Sequence, residues 1–224
     1  MTFSIAARCP DSGMLGVAVS SSSPAVAARC AFVRARTGAV LSQNVTDPRL
    51  GEQVLDELAA GAAAGDAVAR VAGGAAHADY RQLIAVDAAG GVAVFSGSFA
   101  LGTVGEARGP GVASAGNLLH DEGVPRAVVD AFLASSGHLA ARLLAAMQGG
   151  VDAGGEAGPV HSAGLKVAGE VPWPIVDLRV DWTDECPIRV LHRIWSVYEP
   201  QVDDYVTRAL DPSAAPSYGV PGNA

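Results

Sequence analysis

The feature that most constrains this chain is a strand that starts at its second residue. Thr2-Phe3-Ser4-Ile5-Ala6-Ala7-Arg8 alternates loosely between small or polar and apolar side chains, and Pro10-Asp11-Ser12-Gly13 follows as a turn, with Pro and Gly where β-turns favour them. Leu15-Gly16-Val17-Ala18-Val19 then reads as a second strand, so the chain opens as a hairpin whose first strand is buried. A strand that is paired from residue 2 onward holds the chain terminus rigidly, which is what a terminal reactive group requires.

Thr2 gives that rigidity a chemical meaning. If Met1 is removed, a threonine carries a hydroxyl nucleophile and a free α-amine on one residue, and the amine, with a pKa of about 8, can accept the hydroxyl proton directly or through a water. The alternative is that Thr2 is simply a good strand residue.

Periodicity assigns most of the remaining chain. Residues 37–44 form a strand ending in Ser42, Gln43 and Asn44. Leu50, Val54, Leu55 and Leu58 line a helix stopped at Gly61, and Asp66 is placed to cap a second helix carrying Val68 and Val71. Residues 81–87 and 92–97 are strands around the turn Ala88-Ala89-Gly90-Gly91, and residues 111–117 are another short strand. Pro125 opens a helix with Val124, Val128, Val129 and Phe132 on one face. A further helix runs around residues 138–147 and is ended by Gly149-Gly150. Strands at 162–168 and 176–181 precede a late helix bearing Ile188, Leu191, Trp195 and Tyr198. Pro200 interrupts that helix and residues 202–210 continue it. Strands and helix pairs in separate blocks predict α+β layers, not a βαβ sheet.

No linker or repeat divides the 224 residues, which suit one large domain over residues 1–210, with a Pro-, Ser- and Gly-rich flexible tail at 211–224. The net charge of −8 argues against binding a nucleic-acid backbone, though not against a small anion held by local arginines. Cys9, Cys30 and Cys186 are odd in number and lack CxxC spacing, as expected of free thiols in a reduced protein. No stretch has the form of a signal peptide or membrane span, so the expected location is cytoplasmic, with no membrane partner. His77, His120, His138, His161 and His192 form no HxH or HExxH, and neither GxGxxG nor a P-loop occurs. No metal or organic cofactor is expected.

Six stretches, in order, resemble one family: Thr2-Phe3-Ser4-Ile5-Ala6-Ala7-Arg8; Leu15-Gly16-Val17-Ala18-Val19; Gly38-Ala39-Val40 with Ser42-Gln43; Gly116-Asn117-Leu118-Leu119; His161-Ser162-Ala163; and Pro174-Ile175-Val176-Asp177-Leu178-Arg179-Val180. Together they are similar to the Ntn-hydrolase-like family catalogued as domain of unknown function 1028. The resemblance implies an N-terminal-nucleophile scaffold: a four-layer αββα sandwich of two antiparallel sheets flanked by helices, with Thr2 as candidate nucleophile. The chain departs from the family at Cys9, where an Asp is usual. It departs again at Glu156-Ala157-Gly158-Pro159-Val160-His161, where an acidic-Arg-Gly run ending in Gln is usual.

Other candidates accompany Thr2. Asn117, after a glycine at a strand end, can donate to a developing oxyanion or cap local backbone. Gln43 and Asn44 end a strand expected in the same sheet as Thr2 and can contact substrate, or form a polar strand end. His161 and Ser162 are adjacent and so point to opposite faces, which suits ligand lining better than a second nucleophile. Asp177 and Arg179 share a strand face and form a carboxylate clamp, a structural ion pair or part of a solvated face. Three readings result: a hydrolase of an amide-type C–N bond in a small molecule; a ligand-binding or assembly module without turnover; and, ranked last, a chain that keeps Met1 and does its chemistry at the serines of residues 20–23 or at His161-Ser162. Apolar strand edges and the late-helix aromatics Trp195 and Tyr198 add the expectation of a homodimer.

Overall fold

In the computed structural model, which describes residues 1–220, the opening hairpin is the centre of the molecule. Strand β1 (Thr2–Arg8) pairs antiparallel with β2 (Leu15–Ser21), the turn between them passing through Gly13 at φ 72°. On its other side β1 pairs with β8 (Val112–Asn117). Outward from these lie β9 (Ser162–Ala168), β10 (Pro174–Val180) and β7 (Gly105–Gly109), giving a six-stranded antiparallel sheet in the order β10-β9-β2-β1-β8-β7. A second antiparallel sheet has the order β3 (Ala31–Arg34), β4 (Gly38–Asn44), β5 (Arg81–Asp87) and β6 (Val92–Ser96). Gln43 and Asn44 therefore do not share a sheet with Thr2, contrary to expectation; β4 lies across the layer between the sheets.

Helices cover both outer faces. α2 (Pro48–Ala59) and α3 (Ala64–Gly74) pack on the smaller sheet, where Leu50, Val54, Leu55 and Val68 meet Val40, Leu83 and Ala85. α4 (Val124–Ala134), α5 (Leu139–Asp152) and α6 (Pro187–Tyr198) cover the larger sheet, where Phe3, Ile5 and Ala7 of β1 join Val128, Leu143, Leu144 and Trp195. Because side chains alternate along a strand, the other face of β1 turns inward. Ala6 joins Leu15, Val17, Val19, Leu41, Ile84 and Val86 in the layer between the sheets. The expected four-layer αββα arrangement is the one observed. Short α1 (Val26–Cys30) and terminal α7 (Val202–Leu210) complete the α-helices of the described residues.

Tertiary contacts override local signals at three places. α5 does not stop at Gly149-Gly150 but runs to Asp152. A Cβ on Gly149 would lie 2.6 Å from that of Ala131, and one on Gly150 would lie 2.7 Å from the Phe3 ring, so both glycines are points of close approach. Asp66 sits in the first turn of α3, and the acceptor for the first-turn amide of Ala64 is Asp87 Oδ2, 2.9 Å away on the β5–β6 hairpin. Trp195 is buried against His138, ring centroids 5.0 Å apart, while the Tyr198 hydroxyl donates to the Ile175 carbonyl. Trp195 is thus spent inside the chain's own core, while Tyr198 stays partly exposed on α6.

Beyond α7, the Arg208 guanidinium lies 4.1 Å over the Tyr218 ring; the rest of the tail, 221–224, falls outside the described residues. Among the described residues no helix is long and apolar enough to cross a membrane.

Candidate functional site

The layer between the sheets is apolar at one end and polar at the other. Moving along β1 from Ala6 toward the terminus, the inward positions become Ser4 and then Thr2, and their neighbours on both sides become polar as well. Thr2 lies opposite Ser21 on β2 and opposite Asn117 on β8. Thr2 is 7% exposed, and Ser21 and Asn117 are fully or almost fully buried. The Ser21 hydroxyl donates to the Met1 carbonyl oxygen at 2.5 Å, and the Thr2 hydroxyl stands 2.5 Å from the same oxygen and 3.4 Å from Ser21 Oγ. Ser21 Oγ is itself fixed by the Ser23 backbone N–H at 3.1 Å and by the Ser23 hydroxyl at 2.8 Å.

Behind Thr2 a buried amide network ties the two sheets together. Ser4 donates to Gln43 Oε1 at 2.6 Å, and Gln43 Nε2 donates to Gln82 Oε1 at 2.7 Å and to the Ala115 carbonyl at 3.2 Å. Gln82 Oε1 also accepts from Asn117 Nδ2 at 3.2 Å, while its Nε2 donates to Ser96 Oγ and the Gly116 carbonyl. Buried polar groups demand such pairing, since an unmet donor costs about 1–3 kcal/mol. Gln43 is thus occupied in holding the layer, and Asn117 uses one of its two amide hydrogens on Gln82.

Glu156 closes the polar end from outside. Its loop is pinned to the β8 side by a bridge between Leu119 and Glu156, and Glu156 Oε2 accepts from the Ser22 backbone N–H at 3.2 Å. Burial pushes its carboxyl up to about 8, against the lowering effects of the positively charged chain terminus and the Ser22 N–H. Its Oε1 is buried without a hydrogen-bond partner. The same loop borders a cavity of about 300 Å³ between Phe3, Glu156, Gly158 and the segment Asp184-Glu185-Cys186. The Met1 methyl reaches within 3.1 Å of where a Cβ on Gly158 would stand, so the Met1 side chain abuts the wall of that cavity.

Of the remaining sequence candidates, His161 and Ser162 adjoin the strand end at Ser21, and Asn44, Asp177 and Arg179 lie elsewhere. Asn44, at φ 70°, clamps a loop: its Nδ2 donates to the Tyr80 carbonyl at 2.7 Å and its Oδ1 accepts from Leu101 N–H. Ser162 Oγ donates to the Ser23 carbonyl at 2.6 Å and accepts from Val26 N–H, so it shapes the loop that carries Ser21 and Ser23. His161 stacks on Trp182 with ring centroids 4.3 Å apart and places Nδ1 2.9 Å from the Thr183 carbonyl; its backbone N–H donates to Ser21 O. Asp177 and Arg179 occupy the solvent side of β10, three strands from β1 at the sheet edge, and pair with Lys166 and Asp181 respectively, not with each other. Sequence reasoning does not single out Gln82 or Glu156. Glu156 did stand in the loop that departs from the family pattern.

The family model described as a family of unknown function (DUF1028) matches residues 2–191, and the chain belongs to that family. The crystal structure of protein SPO2555 from Silicibacter pomeroyi, of the same family, is similar to it at 32% identity over 88% of each chain, with a TM-score of 0.82. Anbu (ancestral beta-subunit) from Yersinia bercovieri is far less similar, at 10% identity over 91% of this chain and 96% of the other, with a TM-score of 0.40 that carries no weight for fold or function. No curated protein matches the chain.

Proposed function

We propose that this member of the DUF1028 family is an N-terminal-nucleophile hydrolase that cleaves an amide-type C–N bond of a small molecule, with Thr2 as nucleophile once Met1 is removed. The observation that carries the reading is the position of the Met1 carbonyl: its oxygen sits 2.5 Å from both the Thr2 and the Ser21 hydroxyls. An acyl oxygen is thereby held beside the candidate nucleophile and beside a fixed donor. Removal of Met1 frees that position and the space that its side chain fills beside Gly158.

In the proposed reaction the Thr2 hydroxyl attacks the substrate carbonyl carbon while the Thr2 amine takes its proton. Ser21 donates to the developing oxyanion, a service worth about 10²–10³ in rate where it has been dissected. Asn117, opposite Thr2, keeps one amide hydrogen free of Gln82 for the same purpose. The proton passes to the leaving nitrogen, the amine departs, and water hydrolyses the Thr2 ester to a carboxylic acid. Glu156 keeps its proton below about pH 8 while Oε2 accepts from the Ser22 N–H, so Oε1 offers an O–H donor beside the site.

With Met1 attached, the Thr2 nitrogen is an amide and cannot serve as base, and the same polar end is then a ligand-binding site without turnover. The intact mass of the protein purified from its native host separates the two readings. A mass short by one methionine, with an acyl adduct from an activated ester that is absent in Thr2→Ala, supports the hydrolase. Full retention of Met1 in that host would refute it.

A further inference from the structure

At the opposite end of β1 lies another cavity, lined by two arginines. Arg8 ends the strand that Thr2 begins, six residues and about 20 Å away at strand spacing. Its side chain and that of Arg142, from α5, line a cavity of about 420 Å³ walled by Pro10, Pro110, Phe132 and Leu133. Neither arginine forms an ion pair among the described residues, in a chain of net charge −8 whose other cationic side chains mostly have a carboxylate against them. Asp11, in the adjoining turn, pairs with neither.

Both guanidinium groups have a buried Nε with no acceptor. Arg142 is nevertheless held in place: it stacks 4.2 Å over the Phe132 ring, with one terminal nitrogen 3.4 Å from the Phe132 carbonyl and the other 3.9 Å from Cys9 Sγ. Burial pushes the Cys9 thiol up, yet hydrogen bonds from Ser12 and the Asp11 backbone, with the smallest contribution from the Arg142 charge, hold it below the usual value. Desolvated cationic donors are costly unless an acceptor meets them, and planar guanidinium forks match carboxylate and phosphate oxygens. Leu133 remains 45% exposed, leaving an apolar wall beside the charged floor.

We propose that the cavity at Arg8 and Arg142 binds a small organic oxyanion, a carboxylate or phosphate whose apolar body lies against Phe132, Leu133 and the two prolines. The anion bridges the two guanidinium groups and supplies acceptors to the buried Nε donors. This site is separate from the Thr2 end and does not depend on the chemistry proposed there.

Isothermal titration at low ionic strength tests it, with phenyl phosphate, benzoate, inorganic phosphate and, as neutral control, benzyl alcohol. The expected result is saturable one-to-one binding of at least one organic anion, weaker binding of inorganic phosphate and no response to benzyl alcohol. The stronger of phenyl phosphate and benzoate identifies the head group. Arg8→Gln, at a strand end, is expected to weaken binding by about tenfold or more with an unchanged melting temperature, since it removes a charge-assisted hydrogen bond to the anion. Arg142→Met, which keeps the stacking stem, is expected to do the same, while Thr2→Ala leaves affinity unchanged. Absence of anion binding at millimolar concentration, equal binding of benzyl alcohol, or full affinity in both arginine variants would overturn the proposal.

Discussion

Replacing Glu156 by Gln converts a burial argument into a measurable pH dependence. The folded chain holds the Glu156 carboxyl at about 8 against an ordinary 4.5, because desolvation disfavours the charged form. Below 4.5 the group is protonated in both the folded and unfolded states and burial costs nothing extra. Between 4.5 and 8 the unfolded chain gives up the proton that the folded chain keeps, so folding loses about 1.4 kcal/mol for each pH unit. Above 8 both states are charged and the whole difference, an upper bound of about 5 kcal/mol, has been lost. Glutamine cannot ionise, yet it can still accept from the Ser22 N–H. Glu156→Gln should therefore match the parent near pH 4 and exceed it progressively toward pH 9, while other carboxylates cancel in the comparison. Urea denaturation of both proteins across this range, on chains whose mass shows the same terminus, gives the difference directly. Parallel stability curves from pH 4 to 9 would refute the reasoning and mean that Glu156 is solvated or paired in the folded protein.

Three further perturbations read out the structure. Gln82→Leu removes the acceptor shared by Gln43 Nε2 and Asn117 Nδ2, and is expected to cost about 2–5 kcal/mol by urea denaturation; a loss under about 1 kcal/mol would show that water replaces the network. Gly51→Ala should raise the melting temperature on helix propensity, worth about 1 kcal/mol, but its Cβ would stand 2.2 Å from the Phe32 ring, so a fall is expected, and a rise would count against the packing of α2 on β3. Trp195→Ala should destabilise by about 3–5 kcal/mol without altering the mass in solution by light scattering, because the ring is inside the chain's own core.

Much of the architecture was legible because its periodicities are local. The strand at Thr2–Arg8, its turn, and the strands at Arg81–Asp87 and Ser162–Ala168 follow from alternation and turn chemistry, and the helical faces on either side of Pro125 and around Leu143 follow from 3.6-residue spacing. The short elements α1, β3 and β7 were not legible: five, four and five residues are too few for a period to stand out, and long-range pairing defines them. Thr2, Gln43 and Asn117 could be nominated from sequence, since each is a polar residue at the end of an apolar strand.

What the sequence alone determined, then, is a buried terminal strand carrying a hydroxyl at residue 2, with α+β layers around it. The tertiary structure alone decided which groups face that hydroxyl. Register sets Ser21 and Asn117 on either side of Thr2 and reaches across 39 residues to join Ser4 to Gln43, and loop packing buries Glu156 against Ser22. It also decided that Asp177 and Arg179 sit at a sheet edge, and that Arg8 and Arg142 share a cavity from positions 134 residues apart. Such juxtapositions depend on sheet order and layer packing, and these are set by the sum of many long-range contacts that leave no periodic trace in any local stretch of chain.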